Sequence, residues 1–199
     1  MLEHPFEAEL LPSPQGVESA ITVLHIDDDP AFIEMCSELL EMEGERLSVE
    51  TATSAKEGLE YLSETKPDCI VSDYDMHQMD GLEFLETIRA ANLDLPFILY
   101  TGKGSEAIAS EAISAGVTDY LQKTGGTGQY ELLADRITNV VDADRSREIT
   151  NERTRWLESL IGTLPGMVYR CRNDPSWPME AVAGEVEPLT GYHPTALEG

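Results

Sequence analysis

The sequence predicts an α/β fold, a doubly wound parallel sheet of (βα)5 type, and three observations carry that prediction. Short apolar runs of strand length alternate with longer helical patterns along most of the chain. The runs 21–26, 69–72 and 117–121 read as buried strands, of the kind a parallel sheet covers on both faces. Four aspartates, Asp27, Asp28, Asp73 and Asp75, and one lysine, Lys123, close three of the runs, 21–26, 69–72 and 117–121. Parallel pairing would gather those carboxyl ends at one edge of the sheet, where ligand sites of open α/β sheets lie.

The elements follow in order. An acidic, proline-containing tail is expected over residues 1–19, because Pro5, Pro12, Pro14 and Gly16 interrupt any period. Strands are expected at 21–26, 47–51, 68–72, 96–100 and 117–121, and helices at 30–43, 55–64, 82–91, 105–115 and from 128 onward. Asp29-Pro30 supplies an N-cap and a proline in the first helical turn, and Ser54 with Glu57 and Asp80 with Glu83 have capping-box spacing. Gly44 and Gly116 stand where helix ends favour a residue tolerant of positive φ. Right-handed crossovers then place helices on both faces.

The last helix has no early stop. Leu132, Leu133, Ile137, Val140 and Val141 share one helical face, which turns polar from Asp142 to Arg155. The expected organisation is therefore a domain over 20–142, a connector or dimerising signalling helix over 143–163, and the front part of another domain over 164–199. About forty residues are close to the lower limit for independent folding.

Composition narrows the function classes. The chain has 199 residues, 41% of them hydrophobic, which suffices for one ordinary domain and part of a second. Its net charge of -25 disfavours a nucleic-acid partner reached through phosphates. The acids are spread through every helix, so the surface is either salt-adapted, of the halophilic kind, or one that docks a basic partner. Cys36, Cys69 and Cys171 have neither disulfide-like nor metal-ligand spacing, which fits core thiols in a reducing compartment. No basic start with a long apolar core and no run of membrane-spanning length is present, so the expected location is cytoplasmic, with no membrane partner.

Carboxylates crowded at strand ends repel one another, and a divalent cation with hard oxygen ligands, Mg²⁺ first, relieves the repulsion. An Asp carboxylate is also a nucleophile toward phosphorus. The segments His25-Ile-Asp-Asp-Asp-Pro30, Val71-Ser-Asp-Tyr-Asp-Met76 through Met79-Asp-Gly81, Tyr100-Thr-Gly102 and Asp119-Tyr-Leu-Gln-Lys123 together resemble the receiver domain of two-component response regulators. The resemblance spans about residues 20–142, with the segments in the family's order and spacing. It implies the flavodoxin-like strand order 2-1-3-4-5.

The same resemblance implies roles. Asp73 would be the phosphoacceptor, charged from the phosphohistidine of a histidine kinase or phosphotransfer protein. Asp27, Asp28, Asp73 and the backbone carbonyl of Asp75 would hold Mg²⁺. Lys123 would pair with the phosphoryl oxygens, Thr101 would turn its hydroxyl toward them, and Tyr120 would follow Thr101. The face made by the fourth helix, fifth strand and fifth helix would be the output surface and, with the connector helix, a candidate homodimer contact.

Three departures from the family pattern stand out. His77 replaces the common proline after Met76, and Thr124 replaces the proline after Lys123, which leaves the placement of Lys123 open. Asp75 and Lys103 flank the pocket with opposite charges and could gate attacking water. Beyond the receiver, Leu164-Pro-Gly-Met-Val-Tyr-Arg-Cys171 and Pro188-Leu-Thr-Gly-Tyr192 resemble the opening of a PAS domain, whose later strands are not in this sequence. Two rival functions remain, a Mg²⁺-dependent phosphohydrolase with its nucleophile in Asp27-Asp28-Asp29, and an interaction module with an inactive site.

Overall fold

A computed structural model describes residues 19–102, 104, 106–126, 128–163, 166–174 and 178–197. Apart from Ser19, the expected acidic tail lies outside these residues, as does Lys103. The chain divides into two compact units, Met1–Ser146 and Arg147–Gly199.

In the first unit the strands β1 (Ile21–Ile26), β2 (Leu47–Ala52), β3 (Cys69–Ser72), β4 (Phe97–Thr101) and β5 (Asp119–Gln122) form one sheet in the order β2-β1-β3-β4-β5. Every pairing is parallel. The helices α1 (Pro30–Glu43), α2 (Ala55–Glu64), α3 (Gly81–Ala90) and α4 (Glu106–Ala115) fill the crossovers, and α5 (Gly128–Thr163) follows β5. The flavodoxin-like architecture expected from the sequence is the one observed.

Neighbouring residues of one strand enter opposite layers, as a pleated strand requires. Val23 packs with Cys36, Leu40, Leu133 and Ile137 of α1 and α5, whereas Leu24 and Ile26 pack with Phe84, Leu85 and Ile88 of α3. Removing one large buried side chain, such as Phe84 or Leu40, would cost about 2–5 kcal/mol.

Caps set the helix ends. The Asp29 side chain accepts from the amides of Ala31 and Phe32, with Pro30 in the first turn. The Asp80–Glu83 box is complete. The Ser54 hydroxyl accepts from the Glu57 amide, but Glu57 reaches back to Thr53 instead of the cap itself. Gly116, at φ 83, closes α4 in the left-handed conformation expected of it, its amide bonding the Ile113 carbonyl and that of Val117 the Ala112 carbonyl. Those bonds consume Val117, and the Thr118 hydroxyl accepts from the Phe97 amide, so β5 starts at Asp119 and not at 117. Gly44 corrects the expectation of positive φ: it is extended, at φ -120, and a Cβ there would stand 2.7 Å from Leu47 Cγ. Close approach, not left-handed backbone, selects glycine at that position.

The first unit also extends past the expected boundary at 142. Arg46 grips Asp142 with two guanidinium nitrogens at 3.0 and 3.1 Å. Arg145 donates to Ser19, to the Ala20 carbonyl and, at 2.8 Å, to Asp68. The polar stretch that looks like the start of a connector is thus pinned beside the beginning of β1 and β3.

The second unit carries an antiparallel pair, β6 (Met167–Cys171) and β7 (Met179–Gly184), then a short helix α6 (Val186–Thr190) and a 3-10 turn over Pro194–Ala196. Among the described residues no helix is long and apolar enough to cross a membrane.

Candidate functional site

The sheet register assembles the site. Ile26 of β1 pairs with Ser72 of β3, so Asp27 and Asp73 leave adjacent strands at the same level. The ladder continues one step beyond the strands, with the Asp73 amide donating to the Ile26 carbonyl at 2.8 Å and the Lys123 amide to the Thr101 carbonyl at 2.8 Å. Asp27, Asp73, Thr101 and Lys123 therefore stand at one edge because their strands end together. Sequence separations of about fifty and ninety-six residues collapse to hydrogen-bond distance.

Lys123 lies at the centre. Its Nζ donates to Asp27 Oδ2 at 2.5 Å and to Asp73 Oδ1 at 2.7 Å. The remaining oxygens are also engaged: Asp27 Oδ1 accepts from the Asp29 amide and Asp73 Oδ2 from the Asp75 amide. Both aspartates are buried, at 2% and 7% exposure. The Lys123–Thr124 peptide is trans, and the loss of proline does not keep the ammonium from the carboxylates. Its approach is supported from below, where Nζ lies 4.4 Å from the Phe32 ring centroid and 5.7 Å from that of Tyr100.

Electrostatics follow from two buried carboxylates sharing one ammonium. Burial raises the Asp27 pKa, and the hydrogen bond from Lys123 only partly opposes it. For Lys123, burial acts to lower the pKa, but the hydrogen bonds and charges of Asp27 and Asp73 together outweigh it and hold it above the usual lysine value. Both shifts favour an extra positive charge in the site.

Asp28 stands apart from this clamp, its Oδ2 lying 2.5 Å from Nδ1 of His77 in the loop after β3. With two carboxylates on Lys123 and the third on His77, no three acidic, histidine or cysteine side chains among the described residues converge on a metal position as they stand. The donor set nevertheless suits a hard divalent cation. Asp27, Asp28 and Asp73 against Lys123 leave a formal excess of two negative charges, and all their oxygens are hard donors.

Thr101 is buried at the end of β4, and Tyr120 is half-buried, its buried hydroxyl without a hydrogen-bond partner among the described residues. The pairing of Asp75 with Lys103 lies outside the described residues. Four contributors escaped the reading of single motifs. Phe32 and Tyr100 carry Lys123, His77 holds Asp28, and Gly81 is required because a Cβ there would lie 2.2 Å from the Asp73 carbonyl oxygen. His77, Tyr100 and Gly81 lie in or beside the motif segments of the sequence, whereas Phe32 had no signal beyond its core pattern.

Known proteins are similar to this chain in sequence and in fold. Residues 23–134 match the response regulator receiver domain family, whereas the PAS-like reading of 164–199 has no family match behind it. The transcriptional regulatory protein GlrR of Escherichia coli (strain K12) is 32% identical over 147 residues, which cover 73% of this chain and 31% of that protein. The response regulator MprA of Mycolicibacterium vanbaalenii is 34% identical over 103 residues, 52% of this chain and 44% of that protein. The chain thus spans less than half the length of these curated relatives. Among solved structures, the CheY-like receiver domain protein of Methanospirillum hungatei JF-1 aligns with a TM-score of 0.56 and 27% identity over 65% of this chain and 99% of that one. With more than half of the sequence matched and the 2-1-3-4-5 parallel sheet in place, the chain belongs to the response regulator receiver domains of two-component signalling.

Proposed function

We infer that the chain is the phosphoacceptor of a two-component phosphorelay and that Asp73 takes the phosphoryl group. The observation that carries this reading is the Lys123 ammonium held between Asp73 and Asp27 at the strand ends of a receiver fold. A carboxylate oxygen of Asp73 attacks phosphorus, the P–N bond of the donor phosphohistidine breaks, and the imidazole leaves with the electron pair. Lys123 exchanges part of its contact with the carboxylates for contact with the phosphoryl oxygens.

Asp27, Asp28, Asp73 and the Asp75 carbonyl would hold Mg²⁺, which offsets the charge developing on those oxygens. Thr101 offers its hydroxyl to the phosphoryl group, and Tyr120 responds by changing rotamer. The face of α4, β5 and α5 then changes its affinity for a partner or a second copy. Donors are a histidine kinase or a phosphotransfer protein. The expectation of no nucleic-acid partner is confined to these residues, because GlrR, matched over 31% of its length, is a transcriptional regulatory protein.

The test treats the full chain with acetyl phosphate and MgCl₂ and maps the acyl phosphate by borohydride reduction and mass spectrometry. Modification at Asp73, lost in Asp73→Asn, is the expected result. Label on Asp27 would instead favour the phosphohydrolase, and no label at all the interaction module.

A further inference from the structure

His77 occupies a position that the phosphoacceptor reading does not use. Its Nδ1 is 2.5 Å from Asp28 Oδ2, and its side chain is 91% exposed, so no packing holds the ring there. The loop presents it instead. Met76 is buried on one side, and Asp80 caps α3 on the other. Between them the Met79 amide bonds the His77 carbonyl across Gln78, whose φ of 74 makes a tight γ-turn. The imidazole is thereby placed over Asp28, outside the clamp that Lys123 makes with Asp27 and Asp73.

We propose that His77 is a further metal ligand, adding an imidazole nitrogen beside Asp28 so that the site takes borderline first-row cations such as Co²⁺ and Zn²⁺ in preference to Mg²⁺. This rests on the reading of the acidic cluster as a divalent-cation site. A nitrogen and an oxygen sharing one such ion at right angles stand about 3 Å apart, given metal–ligand distances of about 2.1 Å, so the observed pair needs to open by only about 0.5 Å. Imidazole discriminates between metals where carboxylates alone do not: Mg²⁺ keeps its waters and oxygen ligands, whereas Co²⁺, Ni²⁺ and Zn²⁺ gain from nitrogen. Ligation would retain the His77 side chain over Asp28 with the metal between, instead of expelling it into solvent.

The experiment titrates the full chain, and its His77→Ala, His77→Gln and Asp28→Asn variants, with MgCl₂ and with CoCl₂ by calorimetry in high salt. Electron spin-echo spectroscopy of bound Mn²⁺ reports a directly bonded nitrogen. The expected result is a ¹⁴N coupling and tight Co²⁺ binding in the wild type. Both His77 variants should lose the coupling and weaken Co²⁺ by about tenfold or more, with Mg²⁺ affinity changed less than about twofold. If Mg²⁺ binds but the coupling is absent and Co²⁺ affinity is the same in wild type and His77→Ala, the inference fails and the phosphoacceptor reading stands. If neither cation binds the wild type better than Asp28→Asn, both fail.

Discussion

Replacing His25 with leucine should remove a specific acid sensitivity of the fold. The residue lies in β1, fully buried, and neither ring nitrogen has a hydrogen-bond partner among the described residues. Burial, with the Lys123 charge as a lesser cause, lowers its pKa from 6.5 to about 3. A depressed folded-state value means that the unfolded chain takes up the proton first, so the stability present above pH 6.5 is lost as pH falls toward 3. At pH 5, about 1.5 units below the unfolded value, the loss is about 2 kcal/mol, from 1.36 kcal/mol per unit. With a urea m-value near 2 kcal/mol/M, that is a midpoint difference of about 1 M. At pH 7.5, removing two orphaned nitrogens offsets the loss of edge-on ring packing against Phe32, whose centroid is 6.3 Å away, and the two proteins should agree within about 1 kcal/mol. Urea unfolding followed by far-ultraviolet circular dichroism at several pH values, in high salt, gives both curves. Parallel curves for wild type and His25→Leu from pH 7.5 to 5 would refute the reasoning, since other titrating groups are common to both.

Further outcomes follow from the same side chains. Lys123→Met should destabilise the metal-free protein by about 3–5 kcal/mol, because it leaves two buried carboxylates uncompensated, and MgCl₂ should restore part of the loss in the same urea assay. Gly81→Ala forces a Cβ against the Asp73 carbonyl and should cost about 2 kcal/mol or more, while slowing acetyl-phosphate labelling of Asp73. Arg145→Ala should lower stability by about 1–3 kcal/mol through its bonds to Ser19, Ala20 and Asp68; an unchanged midpoint would return the end of the first unit to 142. Cys36 and Cys69, whose thiol pKa values burial pushes up, should resist alkylation in the folded state and react once urea unfolds the chain.

Much of this fold was legible in the sequence because its signals are local. Apolar runs such as those of β3 and β4 mark strands buried on both faces, and Asp29-Pro30 marks the start of α1 to the residue, while α3 starts at Gly81, one residue before the expected 82. The strand order came from the resemblance, since no local signal orders strands of one composition. What stayed hidden depends on tertiary pairing. Asp142 and Arg145 fall where the last helix turns polar, and Arg46, Ser19, Ala20 and Asp68 give them partners in the fold. Gly44 read as a left-handed cap because the neighbour that excludes a Cβ, Leu47, arrives only when the turn closes. Asp27, Asp73 and Lys123 were legible as charged residues at strand ends, but the Phe32 and Tyr100 support of Lys123 was not, since an aromatic in a core pattern reads as core.

Lys123 is where these levels meet. It follows the apolar run of β5, and in the sheet its amide is fixed to Thr101. In the site its ammonium stands between two carboxylates that a divalent cation would also seek. The charge balance distinguishes the roles. One ammonium against Asp27, Asp28 and Asp73 leaves two charges unmet, and the side chain that turns to meet Asp28 is His77, not a second lysine. An imidazole at that position is compatible both with the metal-free site, as a hydrogen-bond partner of the carboxylate, and with a metal-bearing one, as a ligand. A proline there can do neither, having no side-chain donor or acceptor. Substituting His77→Pro should therefore leave the Lys123 clamp intact and alter only the Asp28 side of the site. That separation is observable as unchanged Asp73 labelling at saturating MgCl₂ together with altered cation selectivity.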